Sequence, residues 1–299
     1  MILAGTSAGV HLLEEDRTVD LGGPVRAVGA EGRMWALSGD HDVHWSDDGT
    51  EWEPVASVSD FAVRCVLPAG DEALVGTAEA HLYRVRSGAA DRIDTFDNVE
   101  GRDGWYTPWG GPPDTRSLAA GGDGTVYANV HVGGIPKTTD GGRTWEPTID
   151  VDADVHQVIT HDDLVLAACA PGLAVSSDGG VTWRIDSEGL HGRYCRAVAV
   201  AGDTLLFSAS TGPFTKQAAV YRRPLRSDGA FEKCGGGLPD WFGSNIDSHC
   251  LAAEGATVVL GTGDGDVWLS RDQGGSWDLA AKGLPGISCV AFARTENTP

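Results

Sequence analysis

The chain has 299 residues, with 43 acidic and 22 basic side chains and a formal net charge of −21. A surface this acidic excludes a protein that tracks a nucleic-acid backbone, because phosphate contacts need lysine and arginine, and it disfavours docking on an anionic membrane. Hydrophobic residues at 41% and charged residues at 22% describe a folded globular chain, while 42 glycines and 14 prolines demand many tight turns and an all-β architecture.

In chain order, residues 1–23 carry three short strands, at 2–4, 9–13 and 18–20. Residues 24–58 form a unit that closes on Ser46-Asp-Asp48-Gly49-Thr-Glu-Trp52. Residues 59–98 hold strands at 73–77 and 81–84 without such a string. After an inserted loop at 99–113, residues 114–150 end on Thr138-Thr-Asp140-Gly-Gly142-Arg-Thr144-Trp145. Residues 151–190 read most fully: strands at 155–159, 164–168 and 173–176, then Ser176-Ser-Asp178-Gly-Gly180-Val-Thr182-Trp183, then a strand opening on Trp183. Residues 191–239 hold strands at 204–207 and 220–222 and only a worn Ser227-Asp228-Gly229. Residues 247–285 carry Ser270-Arg-Asp272-Gln-Gly274-Gly-Ser276-Trp277, and a last strand follows at 287–292.

The recurring string has a physical reading. The aspartate accepts backbone N–H bonds inside a tight turn, glycine supplies positive φ, and tryptophan packs beside the hairpin. Trp145 and Trp183 are 38 residues apart, whereas Trp52 to Trp145 is 93 and Trp183 to Trp277 is 94. Each long interval therefore hides one unit with an eroded turn. Units of about 40 residues and four strands predict a β-propeller. The count is seven four-stranded antiparallel blades in one domain, with residues 286–293 completing blade 1 and closing the ring. Closure removes the exposed sheet edges.

The four strings resemble the Asp-box, or bacterial neuraminidase repeat, of sialidases, sortilin-type receptors, photosystem II assembly-factor propellers and related YVTN- and WD-like repeat proteins. In that family the box lies on the outer hairpin, away from the ligand face. The resemblance thus implies a structural role for Asp48, Asp140, Asp178 and Asp272.

Innermost strands start at the mouth of a propeller's central channel. Aligning those starts places Arg26, Arg64, Arg116, His156, Arg196, His249 and Ser288 at equivalent positions, spaced by 38, 52, 40, 40, 53 and 39 residues, with 37 across the termini. Four arginines and two histidines would converge on one axis, where low-dielectric walls focus their field. Arginine suits a carboxylate or phosphate there, because its donors fork in a plane. Local neutralisation is the competing expectation, since Asp60, Asp114, Asp154 and Asp247 lie two to four residues before Arg64, Arg116, His156 and His249. The two long intervals add loops containing Trp105, Tyr106 and Trp109, and Phe214, Trp241 and Phe242. Aromatics beside arginine have the composition of a binding hot spot; alternatively they form a small satellite core. Tyr194 and His131 join the candidate ligand face.

No cofactor is expected. A metal held by His131, His156 and His249 lacks any sequential ligand motif, and the flanking arginines oppose a cation. No nucleophile elbow or phosphate loop occurs, and no catalytic residue can be nominated. A sialidase is disfavoured: Gly134-Ile135-Pro136 replaces that family's Arg-Ile-Pro, no Tyr–Glu pair can be assigned, and sialidases have six blades. The similarity to photosystem assembly-factor propellers, seven-bladed with an arginine patch at the channel mouth, implies a docking surface. The expected function is non-catalytic binding of an anionic small molecule or acidic peptide segment. The alternative is an enzyme, hydrolase or lyase, acting on a small carboxylate or phosphate compound in the same pocket.

The N-terminal residues show neither a basic region nor a long apolar run, and Cys65, Cys169, Cys195, Cys234, Cys250 and Cys289 form no CxxC pair. A cytoplasmic monomer with reduced thiols is expected. The acid is mostly aspartate (30 Asp, 13 Glu) and the base mostly arginine (18 Arg, 4 Lys), a balance that suits a salty cytoplasm.

Overall fold

The computed structural model describes residues 1–293. Its strands form seven antiparallel sheets, each running outward from an innermost strand A to strand D. The inner strands are Ile287–Phe292 in blade 1, then Val25–Gly29, Val63–Ala69, Thr115–Ala120, Val155–His161, Tyr194–Ala201 and Leu251–Glu254 in blades 2 to 7. The expected all-β, seven-bladed ring is present. Its closure is a ladder in which Ile2 to Thr6 pair with Phe292 to Ile287. In blade 4 the outer strand is reduced to a single bridge between Lys137 and Glu146. Pro147 follows at once and has no N–H with which to extend the ladder. No helix among the described residues is long and apolar enough to cross a membrane.

Apolar residues alternate along the strands, and the sheets bury them between neighbouring blades. The core is accordingly divided into clusters, one at each blade-to-blade interface. The tryptophan of each turn string packs against the preceding blade: Trp52 between blades 1 and 2, Trp145 between 3 and 4, Trp183 between 4 and 5, and Trp277 between 6 and 7. Cys65 and Cys289, one residue past the channel positions, pair across the sheet with Gly76 and Gly5. A Cβ at Gly5 would lie 2.4 Å from the Cys289 sulfur, so only glycine admits the thiol there.

Each turn string closes on its aspartate. Asp178 Oδ1 accepts from the backbone N–H of Val181 and Thr182 at 3.1 and 2.9 Å, while Oδ2 accepts from the Thr182 hydroxyl at 2.6 Å. Ser176 Oγ accepts in turn from Gly180 N–H at 2.8 Å. These donors favour the ionised carboxyl. The Glu51 and Thr50 amides hold Asp48 down to about 2, the Thr182 hydroxyl and amide do the same at Asp178, and the Ser276 amide and hydroxyl at Asp272. Asp140 is lowered likewise, chiefly by the Thr144 amide and hydroxyl.

A carboxyl held lower in the folded chain than in the unfolded one contributes stability above its ordinary range and loses it as pH falls through the folded value. The stability these turns supply is therefore complete near pH 5 and drains away between about pH 4 and about 2. Urea midpoints measured at pH 5 and pH 3 should fall less in an Asp178→Asn/Asp272→Asn variant than in wild type. An equal fall in both would show that these turns are not the acid-labile elements.

Candidate functional site

The first residues of strand A reach the channel through a backbone device. In blades 1 to 4 and in blade 5, pairing with strand B skips one residue: Ser288, Arg26, Arg64, Arg116 and His156. Blade 6 has the same shift across Arg196 and Ala197. A β-bulge re-aims a side chain that regular alternation would send into a blade interface. Blade 7 uses a different device: His249 precedes strand A with a left-handed φ of 65°.

Most of these channel residues are tied to the next blade. Arg64 Nε donates to Asp114 Oδ2 at 3.0 Å, and His156 Nδ1 donates to the Cys195 carbonyl at 2.7 Å. Arg196 donates to Asp247 and, at 3.2 Å, to the Tyr194 hydroxyl. Ser288 Oγ donates to the Val25 carbonyl at 2.6 Å. Arg26 pairs within its own blade, with Asp40 at 3.0 Å. The neutralising carboxylates are thus real, but Asp114 and Asp247 serve the arginine of the blade before them rather than the channel residue that follows them in sequence.

Arg116 departs from this pattern. Among the described residues its half-buried guanidinium makes no hydrogen bond and no ion pair. Burial pulls its pKa down and the nearby Arg196 charge adds to that, opposed by Tyr194, Asp114 and Asp154. Its environment therefore resists the charge that it carries.

His249 spans the channel. Its Nε2 donates to the Arg116 carbonyl at 3.0 Å, and its backbone N–H donates to Gln157 Oε1 at 3.0 Å. Ser248 Oγ donates to the His156 carbonyl at 2.9 Å. These bonds join blade 7 to blades 4 and 5 across the ring. Beyond the bridge, toward the turns between strands A and B, lies a cavity of about 820 Å³. Its walls are the later, apolar parts of the inner strands, including Val66, Ile159, Val200 and Ala252. The candidate anion residues lie on the other side of His249.

A compact group forms where blades 4, 5 and 6 meet. Trp109 packs on His131 with ring centroids 5.2 Å apart, His131 lies 5.8 Å from His156, and His156 lies 4.6 Å from Tyr194. Asp154 stands between the imidazoles, with Oδ1 3.1 Å from His131 Nε2 and 3.7 Å from His156 Nε2. Burial pushes Asp154 up, but the contacts with His131, His156 and Arg116 outweigh it and leave it lowered. Burial depresses His156 strongly, and Arg116 and Arg196 add to this against the pull of Asp154, so the imidazole is neutral at pH 7.

The aromatic loops divide. Trp105 wedges against Phe96 at 5.9 Å under Arg102, at the interface of blades 3 and 4, and Phe242 is buried between blades 6 and 7; both belong to the blade-interface core rather than to a separate satellite. Trp109 is 69% exposed beside the histidines. Tyr106 is exposed and donates to Asp152 at 3.3 Å. Trp241 packs on His191 at 4.4 Å and beneath Lys233 at 3.8 Å. His249 does not join His131 and His156; the third side chain that stands with them is Asp154. In sequence Asp154 stands out only as a neutralising charge two residues before His156. Its left-handed φ of 46°, after the short turn Val151–Ala153, aims it between the two rings.

No protein-family model and no curated protein matches the chain. Solved structures do. YCF48 from Cyanidioschyzon merolae aligns at 17% identity over 85% of this chain and 84% of that one, with a TM-score of 0.58. YCF48 bound to D1 peptide aligns at 16% identity over 93% and 84%, with a TM-score of 0.59. The WD40 β-propeller domain of Doa1 aligns at 14% identity over 93% and 84%, with a TM-score of 0.61. Identities this low carry the propeller fold and no more.

Proposed function

We propose that the chain is a non-catalytic binding propeller. Its ring face, where blades 4 to 6 meet, takes the carboxylate or phosphate of a small molecule or of an acidic peptide segment. The observation that carries this reading is the unpaired Arg116. Its counterparts Arg26, Arg64 and Arg196 each hold a carboxylate of the protein. A half-buried guanidinium without one is stabilised by an anion from solution. Tyr194 lies close to Arg116, the exposed Trp109 packs on His131, and a planar ring suits the apolar part of such a ligand. YCF48, one neighbour in fold, is known bound to a peptide, which gives the peptide its place in the test.

We also read the four turns as Asp-boxes, supported by their common donor set around each aspartate. The six thiols, all unpaired and buried, suit a reducing cytoplasm.

The test is a thermal-shift panel of citrate, phosphate and a short Asp/Glu peptide at fixed ionic strength, with chelator present. Wild type should be stabilised by at least one of the three. Arg116→Ala should weaken that ligand by roughly 10- to 100-fold, the worth of a charge-assisted pair of about 1.5–3 kcal/mol. Arg26→Ala should leave it unchanged. If wild type and Arg116→Ala respond alike to all three, the reading fails.

A further inference from the structure

We propose that His131 Nε2, Asp154 Oδ1 and His156 Nε2 form a binding site for a divalent transition-metal ion of the zinc class. The three atoms lie within 4.8 Å of one another. Ligands about 2.0–2.1 Å from a tetrahedral zinc are themselves about 3.3 Å apart. The two separations to Asp154, 3.1 and 3.7 Å, bracket that spacing. Two imidazoles and one carboxylate suit zinc, cobalt or iron rather than calcium or magnesium.

The strongest sign is what the buried atoms lack. His156 has no exposed surface, and its Nδ1 donates to the Cys195 carbonyl. That bond fixes the tautomer and leaves a lone pair on Nε2, as carbonyl-bonded histidines do when they ligate metals. Nε2 makes no hydrogen bond, and the buried Asp154 Oδ1 in front of it has only His131 Nε2 within reach, at 3.1 Å. Two buried acceptors facing each other is a costly arrangement. A cation between them resolves it, with His131, 3% exposed, as the third ligand.

The backbone holds this geometry in place. The Asp154 N–H donates to Val151 and its carbonyl accepts from Ala170, while the His131 N–H donates to Asp114. The ligands come from two blades, so the ion would also clamp blade 4 to blade 5. The coordination is incomplete at three protein ligands. A fourth position would accept water or an anion, and an anion there would offset the repulsion between Arg116 and the ion.

The experiment uses Co2+ as the probe on the full chain after chelator treatment. Saturable visible d–d bands at one equivalent are expected, without the charge-transfer absorption of cobalt–thiolate bonds. Asp154→Asn should weaken binding by at least about 100-fold, beyond the 10- to 100-fold typical of losing a supporting partner. His131→Gln should do the same. His161→Gln, at the far end of the same strand, should change nothing. Unchanged thermal unfolding of the two ligand variants in chelator shows that they are folded; if either fails to fold, the other decides. The proposal is overturned by absent bands, by bands that survive both ligand substitutions, or by thiolate absorption. Anion binding is read in chelator with Arg116→Ala, so that reading can stand when the metal fails, and the reverse.

Discussion

Removing residues 287–299 should leave a chain that does not fold cooperatively. The lost strand buries Ile287, Cys289 and Val290 to within 6% of full burial. At about 1.5–3 kcal/mol per buried side chain the loss is about 4.5–9 kcal/mol. A whole domain has only about 5–15 kcal/mol to lose. The deletion also bares the edge of Ile2–Thr6 to any other chain. The cause is closure rather than mere length, and a permutant separates the two. Met1 and Ala293 bond to each other in both directions, at 3.2 and 2.9 Å, so a short linker can join them. New ends cut between Gly110 and Gly111, in an exposed loop where nothing lies within 4 Å of a Cβ at Gly110, should leave the melting temperature within a few degrees of wild type. Calorimetry on the three proteins decides it. A truncated chain that melts sharply near the wild-type temperature would show that the ring does not depend on its last strand.

The second large effect is expected at a turn tryptophan. Trp277 is 4% exposed and fills the space between blades 6 and 7 among Leu206, Val220, Cys234 and Leu260. Its indole N–H donates to the Gly274 carbonyl at 3.2 Å, and its backbone N–H donates to Gly236 at 2.7 Å. Trp277→Ala removes the wedge and orphans no charge, so the cost is transfer plus cavity, about 3–5 kcal/mol. Trp109→Ala removes the same side chain from a position 69% exposed and should stay within about 0.5 kcal/mol. Urea unfolding of both variants gives the comparison. A loss below about 1 kcal/mol at Trp277 would mean that the turn strings fix the hairpin but do not hold the blades together.

Trp277 and Trp109 also show where sequence reading succeeds and where it stops. Trp277 ends a turn whose every member has a local reason: Ser270 and Ser276 bond to Asp272, and glycine allows the positive φ at Gly274. Such a turn is written in eight adjacent residues. Trp109 and Trp105 belong to one loop and look equivalent in sequence. One lies on the surface and the other under Arg102, a difference set by Phe96 and Val130 in two separate blades.

The sequence by itself determined the all-β class, the number of blades and the closure by the last strand, and it aligned Arg26, Arg64, Arg116, His156, Arg196 and His249 at equivalent positions where the inner strands begin. These follow from turn chemistry and repeat spacing, which act over tens of residues or fewer. Only the tertiary structure decided which of those cations are already satisfied. Asp114 reaches Arg64 from 50 positions away and Asp247 reaches Arg196 from 51. His249 crosses the ring to Arg116, 133 positions away in sequence. Those pairings depend on the pitch between adjacent blades and on the bulge that turns each side chain to the axis. They leave Arg116 without a partner among the described residues and Asp154 between two imidazoles.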